Sequence, residues 1–213
     1  MKRVTQHKTV LLIVAVIGIQ ACSSVPYLKQ QGINQNLKTL TETYYQIQSD
    51  TDSILLKQVH YTFTKQGRIK TSFTRNKQGD TLIKTEKKLF FDKQSFPNTP
   101  NYYCKTRWKT KHRERISCYT QKRYKQNEKI NWYAPNGRIL KSVDNFTSYY
   151  TTQYQYTTDT LKQITIKDTL NTLIDFISIN YDNQDSFNFP QLITRRHHVT
   201  DSLIKVYRYP EYY

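Results

Sequence analysis

The sequence predicts an all-β, mainly antiparallel fold: a β-meander of roughly 11–13 strands that forms an open twisted sheet or a partly closed shell. Three observations favour this fold. The chain contains 18 Tyr and 9 Phe, residues that suit a pleated, half-buried surface. Alanine, the strongest helix former, occurs only at positions 15, 21 and 134. Finally, the side chains alternate with a period of two along several segments.

The alternation is clearest in residues 54–63 and recurs in residues 161–167, 173–181 and 203–209. Strands of this length joined by short turns make hairpins rather than βαβ units. Residues 92–101 break the rhythm, and with Pro97 and Pro100 they predict a long loop. Short polar turns separate the strands at residues 48–53, 65–67, 76–80, 112–115, 135–137, 157–160, 182–185 and 200–202.

Residues 1–21 have the layout of an export signal. Lys2, Arg3 and Lys8 form a positive region, and an uncharged apolar run follows from Val10 to Ile19. This run has about ten residues, whereas a helix needs roughly 20 to span a bilayer. We therefore expect a cleaved signal rather than a permanent transmembrane helix.

The segment Ile19-Gln20-Ala21-Cys22 resembles the lipobox of bacterial lipoproteins, although Gln20 departs from the usual small or hydroxyl residue. The resemblance implies cleavage before Cys22, a diacylglycerol thioether on its sulfur and an acyl group such as palmitate on its amine. Ser23 and Ser24 follow with no aspartate, which resembles outer-membrane sorting in Gram-negative bacteria. The alternative is an ordinary cleaved signal that leaves Cys22 as an incidental thiol.

The mature chain is predicted to have two parts. Residues 22–36 are polar with little pattern and are expected to form a flexible lipidated tether. Residues 37–213 are expected to form a single antiparallel β domain of ordinary size. The formal net charge of the whole chain is +17. That charge favours anionic partners such as lipid phosphates or acidic glycans, but exposed strands also use lysine to avoid edge-to-edge association.

Two turn segments resemble the repeat of YD (Rhs-type) proteins. Residues 61–69, Tyr-Thr-Phe-Thr-Lys-Gln-Gly-Arg-Ile, match the pattern Y-x-Y-D-x-x-G-R-L, and residues 133–139 repeat its second half. Gly67 and Gly137 would supply the positive φ of a hairpin turn. The acidic residue of the pattern is replaced by Thr64 and Ala134. The resemblance implies a stack of hairpins that has no chemistry of its own.

Cys104 and Cys118 remain as a pair once Cys22 is lipidated. They lie on either side of a polar turn, so a hairpin centred near Lys111 would place them opposite each other. An exported location permits a disulfide, and its loop of about 15 residues would stabilise the fold by roughly 3 kcal/mol. The alternative is two free thiols used in metal binding or catalysis, which would require a histidine nearby.

The same hairpin has the highest density of cationic side chains in the chain, interleaved with aromatic residues. Such surfaces resemble those that bind nucleic acid, but an exported lipoprotein seldom meets nucleic acid. We therefore expect an anionic envelope component or a partner protein as the ligand, or else a solvated strand face. The residues of this predicted surface are Lys105, Arg107, Trp108, Lys109, Arg113, Arg115, Lys122 and Arg123.

The sequence predicts no catalytic site, no metal site and no cofactor. His197 and His198 are adjacent, and neighbours in a strand point to opposite faces, so they are not expected to share a metal. With five glycines in the chain, a phosphate-cradling loop is hard to build. The predicted function is a non-enzymatic cell-envelope lipoprotein with a structural or binding role at the outer membrane. The alternative is a lipoprotein immunity or inhibitor module that occludes a toxin or hydrolase.

Overall fold

Fourteen antiparallel strands follow one short helix in the computed structural model, which describes residues 26–30, 33, 36–120, 123–145, 149–158 and 160–213. The helix is α1 (Tyr27–Gln30). The strands are β1 (Leu37–Ile47), β2 (Ser53–Phe63), β3 (Ile69–Arg75), β4 (Thr81–Lys87), β5 (Asp92–Ser95), β6 (Tyr102–Thr110), β7 (Arg113–Thr120), β8 (Lys125–Tyr133), β9 (Ile139–Asp144), β10 (Tyr150–Thr157), β11 (Thr160–Lys167), β12 (Leu173–Gln184), β13 (Pro190–His197) and β14 (Ser202–Tyr212).

Each strand pairs with its neighbours in sequence, and β1 also pairs with β14, so the sheet is a closed barrel. The all-β antiparallel prediction is confirmed. The open sheet or partly closed shell was wrong, because local periodicity carries no information about pairing between the first and last strands. The count of 11–13 strands was also too low. The predicted loop over residues 92–101 contains β5, a four-residue strand too short to show a period.

The seam of the barrel is the pairing of β1 with β14, which places Glu42 directly opposite Arg208. Both side chains are buried, and Nε of Arg208 donates to Oε1 of Glu42 over 3.0 Å. The hydroxyl of Tyr44 donates to the other carboxylate oxygen over 2.7 Å. The Arg208 guanidinium also lies 4.5 Å from the ring centroid of Phe189. The seam therefore carries a buried ion pair in which both Glu42 oxygens and Nε of Arg208 have hydrogen-bond partners.

The inner face of the barrel differs around its circumference. Strands β12, β13 and β14 contribute a buried aliphatic cluster of Ile177, Ile179, Ile193 and Val206. On the opposite half, the buried residues include the polar side chains of Ser72, Glu114, Asn131, Ser142 and Thr152. Buried polar groups cost free energy unless they have hydrogen-bond partners. The polar half is therefore the candidate location of a functional site.

The two ends of the barrel can be assigned because consecutive strands run in opposite directions, so the turns alternate between ends. We call the end that carries α1 the helix end. It also contains the turns at residues 64–68, 88–91, 111–112, 134–138 and 185–189. The opposite end, which we call the far end, contains the turns at residues 48–52, 76–80, 96–101, 168–172 and 198–201, and residues 123–124 of the β7–β8 turn.

Helix α1 packs into the mouth of the helix end. Leu28 is buried in a cluster with Ile33 and Phe63, and the Tyr27 ring stacks on Tyr61 with centroids 5.2 Å apart. The backbone N–H of Leu28 donates to the carbonyl of Gly67 over 3.2 Å. The sequence predicts a flexible tether over residues 22–36. The described residues of this segment instead pack onto the barrel, because Leu28 and Ile33 bury apolar surface there.

Gly67 and Gly137 occupy equivalent hairpin turns. Both have positive φ, +73° and +90°, and each donates to a carbonyl three residues earlier, that of Thr64 or Ala134, over 2.8 Å. Gly67 has a second constraint, since a Cβ there would lie 3.3 Å from the Leu28 side chain. That glycine thus sets both the turn and the close approach of α1.

Among the described residues, the helices fall short of the length and apolar character that a membrane-spanning helix requires.

Breaking the seam ion pair is expected to destabilise the barrel. Arg208→Met leaves the buried Glu42 carboxylate without its cation, which costs about 3–5 kcal/mol of unfolding free energy. The double variant Glu42→Gln with Arg208→Met removes both charges and is expected to recover a large part of that loss. Urea unfolding of the wild type, both single variants and the double variant measures the coupling. Additive effects of the two substitutions would contradict a direct interaction.

Candidate functional site

A cavity of about 260 Å³ lies at the helix end, between α1 and the hairpins β4–β5 and β6–β7. Its apolar wall comes from Tyr27, Ile69, Phe91 and Trp108, and the Trp108 ring packs 4.9 Å from that of Tyr133. The rest of the lining is mostly polar. It consists of the cations Arg68, Lys87, Lys88 and Arg107, the acids Asp92 and Glu114, the β4–β5 tip residues Leu89 and Phe90, and the neutral polar residues Gln30 and Thr106.

Glu114 is the buried acid of this cavity. Its Oε2 accepts hydrogen bonds from Nδ2 of Asn131 over 2.6 Å and from the hydroxyl of Tyr133 over 2.8 Å. Burial raises the pKa of the Glu114 carboxyl, and these two hydrogen bonds oppose the rise only in part. Burial, followed by the nearby Glu114 charge, also raises the pKa of Tyr133. The neutral acid is thus favoured more strongly here than at the surface.

The charge balance of the cavity is positive. Burial raises the pKa of Asp92, while the cations Lys87 and Arg68 act in the opposite direction. The Nε atom of Arg68 is buried and has no hydrogen-bond partner in the part of the chain that the structure describes. The Arg107 guanidinium carbon lies 5.6 Å from the ring centroid of Phe91. Four cations therefore meet two carboxyl groups whose ionisation is disfavoured, beside an aromatic wall.

The predicted basic surface is divided between the two faces of the barrel. Lys105, Arg113 and Arg115 lie on the outer face, where Lys105 sits 5.4 Å from the Tyr103 ring centroid. Trp108 instead points inward to the cavity, and Arg107 lies at the cavity's edge. The residues of the predicted surface are therefore shared between the two faces, because successive residues of a strand alternate between faces.

The remaining residues of that surface contribute little to one site. Lys109 is exposed near the end of β6, and Arg123 lies in the β7–β8 turn with φ of +63°. Arg115 and Lys125 both contact Glu128, at 3.4 Å and 2.6 Å, which offsets part of the positive charge. Lys122 lies outside the described residues.

Cys104 and Cys118 face each other in the β6–β7 register and are joined by a disulfide. Both are buried, on the inner side of the barrel. Cys22 and the lipobox segment lie outside the described residues, so lipidation stays a prediction. Among the described residues, no group of three or more His, Cys, Asp and Glu side chains is placed to hold a metal ion.

The two adjacent histidines make separate contacts. Nδ1 of His197 lies 2.6 Å from Oδ2 of Asp175, whereas Nε2 of His198 lies 3.0 Å from Oγ of Ser178. A nucleophilic triad requires one histidine to join the serine to the acid. Here the serine and the aspartate contact different rings, so this cluster does not form such a triad.

A second concavity lies on the outer wall beside the seam, with a volume of about 370 Å³ and a lining of Tyr45, Ile47, Ser53, Tyr207 and Tyr209. This lining has no cation or carboxylate, in contrast to the cavity at the helix end. The helix-end cavity is therefore the better defined site. Sequence reasoning missed Asp92, Glu114 and the contribution of α1, since strand pairing and barrel closure bring these distant segments together.

No protein-family model and no curated protein matches the chain. Among solved structures, a porin-like protein from Bacteroides uniformis is 13% identical with a TM-score of 0.39, over 76% of this chain and 56% of that protein. A LolA superfamily protein from Nitrosomonas europaea is 10% identical with a TM-score of 0.35, over 85% of this chain and 87% of that protein. The chain thus spans just over half the length of the porin-like protein. We draw no functional conclusion from similarity at this level.

The raised pKa of Glu114 predicts a pH-dependent loss of stability. The folded state holds the proton more tightly, so this stabilisation is complete below the ordinary pKa of 4.5 and is lost as pH rises through the raised value. Relative to the wild type, Glu114→Gln should therefore become progressively more stable as pH rises from about 4.5 towards neutrality. Urea unfolding at a series of pH values measures this difference.

Glu86→Gln is the matched control, because Lys84 and Lys88 lower the pKa of the exposed Glu86 to about 2. Its stability difference from the wild type should stay constant above about pH 5.5, since both the folded and the unfolded carboxyl are then ionised. An equal pH slope for the two variants would contradict the assignment to Glu114.

The disulfide predicts resistance to alkylation. The test uses residues 22–213 with Cys22→Ser, denatured and treated with iodoacetamide. Without reductant the mass should not change, and after reduction two adducts should form. Reduction should also lower the unfolding free energy by about 3 kcal/mol, since the bond closes a loop of roughly 15 residues. The double variant Cys104→Ser with Cys118→Ser should show no effect of reductant. Two adducts without reductant would contradict the bond.

Proposed function

We propose that the protein is a lipid-anchored, non-enzymatic binding protein of the bacterial cell envelope, and that it holds an amphipathic anion in the cavity at the helix end. The cavity carries the proposal: an aromatic and aliphatic wall lies directly beside four cationic side chains. A ligand with an apolar chain and an anionic head matches both halves of this lining. The lipobox-like segment supports the location, since it implies acyl chains on Cys22.

The apolar part of the ligand would lie against Trp108, Tyr27 and Ile69. Burying apolar surface there is favourable by roughly 25 cal/mol per Å². The cavity volume of about 260 Å³ falls just under the 300–1,000 Å³ of typical small-molecule pockets. We therefore expect one acyl chain or part of a larger amphiphile to enter, rather than a whole lipid with several chains.

The anionic head would lie at the cavity edge beside Arg68, Arg107 and Lys88. Arg68 lines the cavity, and its buried Nε has no hydrogen-bond partner among the described residues; a planar guanidinium suits carboxylate and phosphate groups. Four cationic side chains against two acidic ones leave the lining of the cavity net positive. An amphipathic anion therefore fits better than a cation or a neutral lipid.

The two tryptophans of the chain allow a direct test, because Trp108 lines the cavity and Trp132 lies on the outer face near Arg113 and Lys141. In residues 22–213 carrying Cys22→Ser, Trp132→Phe leaves Trp108 as the only tryptophan. A fatty acid brominated on its chain should quench Trp108 emission with saturation. The neutral alcohol of the same chain length should bind more weakly, and acetate should leave the emission unchanged.

Arg107→Gln should weaken the fatty acid roughly fivefold, since one partly exposed ion pair contributes about 1 kcal/mol. Arg113→Gln, on the outer face, is the matched control and should leave the affinity unchanged. In the reciprocal variant Trp108→Phe, the remaining Trp132 should not be quenched. Equal quenching of both tryptophans, or none at Trp108, would reject the cavity as the binding site. Recovery of one stoichiometric partner protein from detergent-solubilised membranes would instead favour an inhibitor.

A further inference from the structure

The turns at the two ends of the barrel carry opposite charge. Among the described residues, α1 and the turns of the helix end contain six basic side chains and one acidic side chain, Asp185. The described residues of the far-end turns include two basic side chains, Lys77 and Arg123, and five acidic ones. The basic residues of the helix end are Lys29, Lys65, Arg68, Lys88, Lys111 and Arg138, and the acidic residues of the far end are Asp50, Asp52, Asp80, Asp168 and Asp201.

The helix end also has an exposed apolar tip. Leu89 and Phe90 are consecutive residues of the β4–β5 turn, and they are 86% and 75% exposed. Phe187 is exposed at the same end. Two consecutive large apolar side chains held in solvent cost free energy unless a partner covers them. The far end also exposes apolar side chains, namely Leu170 (84%), Tyr124 (69%), Tyr149 (58%), Val199 (56%) and Leu173 (50%), so the two ends differ in the charge of their turns and not in apolar exposure alone.

Pro26, the described residue nearest to Cys22 along the chain, lies at the helix end. Pro26 precedes α1 directly, so only four peptide units separate it from Cys22. At no more than about 3.6 Å per residue, this connection spans at most roughly 14 Å. An acylated Cys22 would therefore hold the helix end, and not the far end, close to the bilayer.

We propose that the helix end docks on an anionic bilayer, with the Leu89–Phe90 tip inserted among the lipids and the basic turns lying against phosphate groups. This inference rests on the membrane location in the proposed function and adds the orientation of the barrel. The charge of the helix end matches anionic headgroups, and the acidic far end faces away. The cavity beside the same tip then opens towards the membrane, where amphipathic anions are concentrated.

The orientation can be read from single tryptophans at the two ends. The background is residues 22–213 with Cys22→Ser, Trp108→Phe and Trp132→Phe, into which either Phe90→Trp or Leu170→Trp is introduced. Both positions are exposed, so neither substitution disturbs the core. Each chain is mixed with vesicles of phosphatidylglycerol and phosphatidylethanolamine in equal parts, with bromine on the lipid acyl chains.

The tryptophan at position 90 should shift its emission to the blue and be quenched, because it inserts about 5–10 Å below the membrane surface. The tryptophan at position 170 should show neither change. No quenching at position 90, equal quenching at both positions, or quenching at position 170 alone would each overturn the proposal. Leu89→Trp gives an independent measurement should the Phe90 variant misfold.

The charge contribution is tested by neutralising exposed lysines outside the cavity. Lys65→Gln with Lys111→Gln should lower the vesicle partition coefficient roughly 25-fold, since each basic residue near an anionic surface contributes about a factor of five. Lys77→Gln at the far end is the matched control and should change nothing. An equal loss for Lys77→Gln would overturn the electrostatic part of the proposal. The same holds if the chain without these lysine substitutions binds pure phosphatidylcholine vesicles as strongly as it binds the anionic vesicles.

Failure of this proposal is distinguishable from failure of the proposed function. Cavity binding is read from Trp108 with a monomeric fatty acid, whereas docking is read at position 90 in chains that lack Trp108. The lipid anchor is absent from both experiments. A chain that binds the fatty acid but not the vesicles would therefore retain the cavity function and lose only the docking surface.

Discussion

The pairing of β1 with β14 is the constraint on which the rest of the structure depends. It joins segments 166 residues apart through the buried contact between Glu42 and Arg208. An unclosed sheet would leave two long edges with unpaired backbone groups. It would also expose the Glu42 carboxylate and the aliphatic cluster beside it. Closure thus creates both the interior that shelters these groups and the rim into which α1 fits.

Helix α1 forms one wall of the cavity at the helix end of the barrel. Its Leu28 packs against Gly67 and closes part of the opening, while Tyr27 and Gln30 become one wall of the remaining cavity. The other walls come from hairpins that supply Trp108 and the cations. The segment next to the predicted lipid anchor therefore also completes the proposed binding site, so the position of the membrane and the composition of the cavity are physically coupled.

The sequence could predict single strands and their turns better than the side chains that meet inside the barrel. Gly67 and Gly137 occupy turns with positive φ because only glycine adopts that backbone without a steric cost. Trp108 was grouped with neighbouring cations by composition, although alternation turns its ring into the cavity while Arg107 reaches only the cavity's edge. Glu114 had no signal of its own, since its burial depends on Asn131 and Tyr133 from another strand.

The sequence by itself determined the all-β class, the antiparallel meander and the opposed positions of Cys104 and Cys118, because these depend on period, turn chemistry and separation along the chain. Only the tertiary structure decided that the sheet closes, that residues 26–36 pack onto the barrel where they are described, and that the basic turns gather at one end. Those features arise from contacts between segments far apart in sequence, which local patterns do not encode.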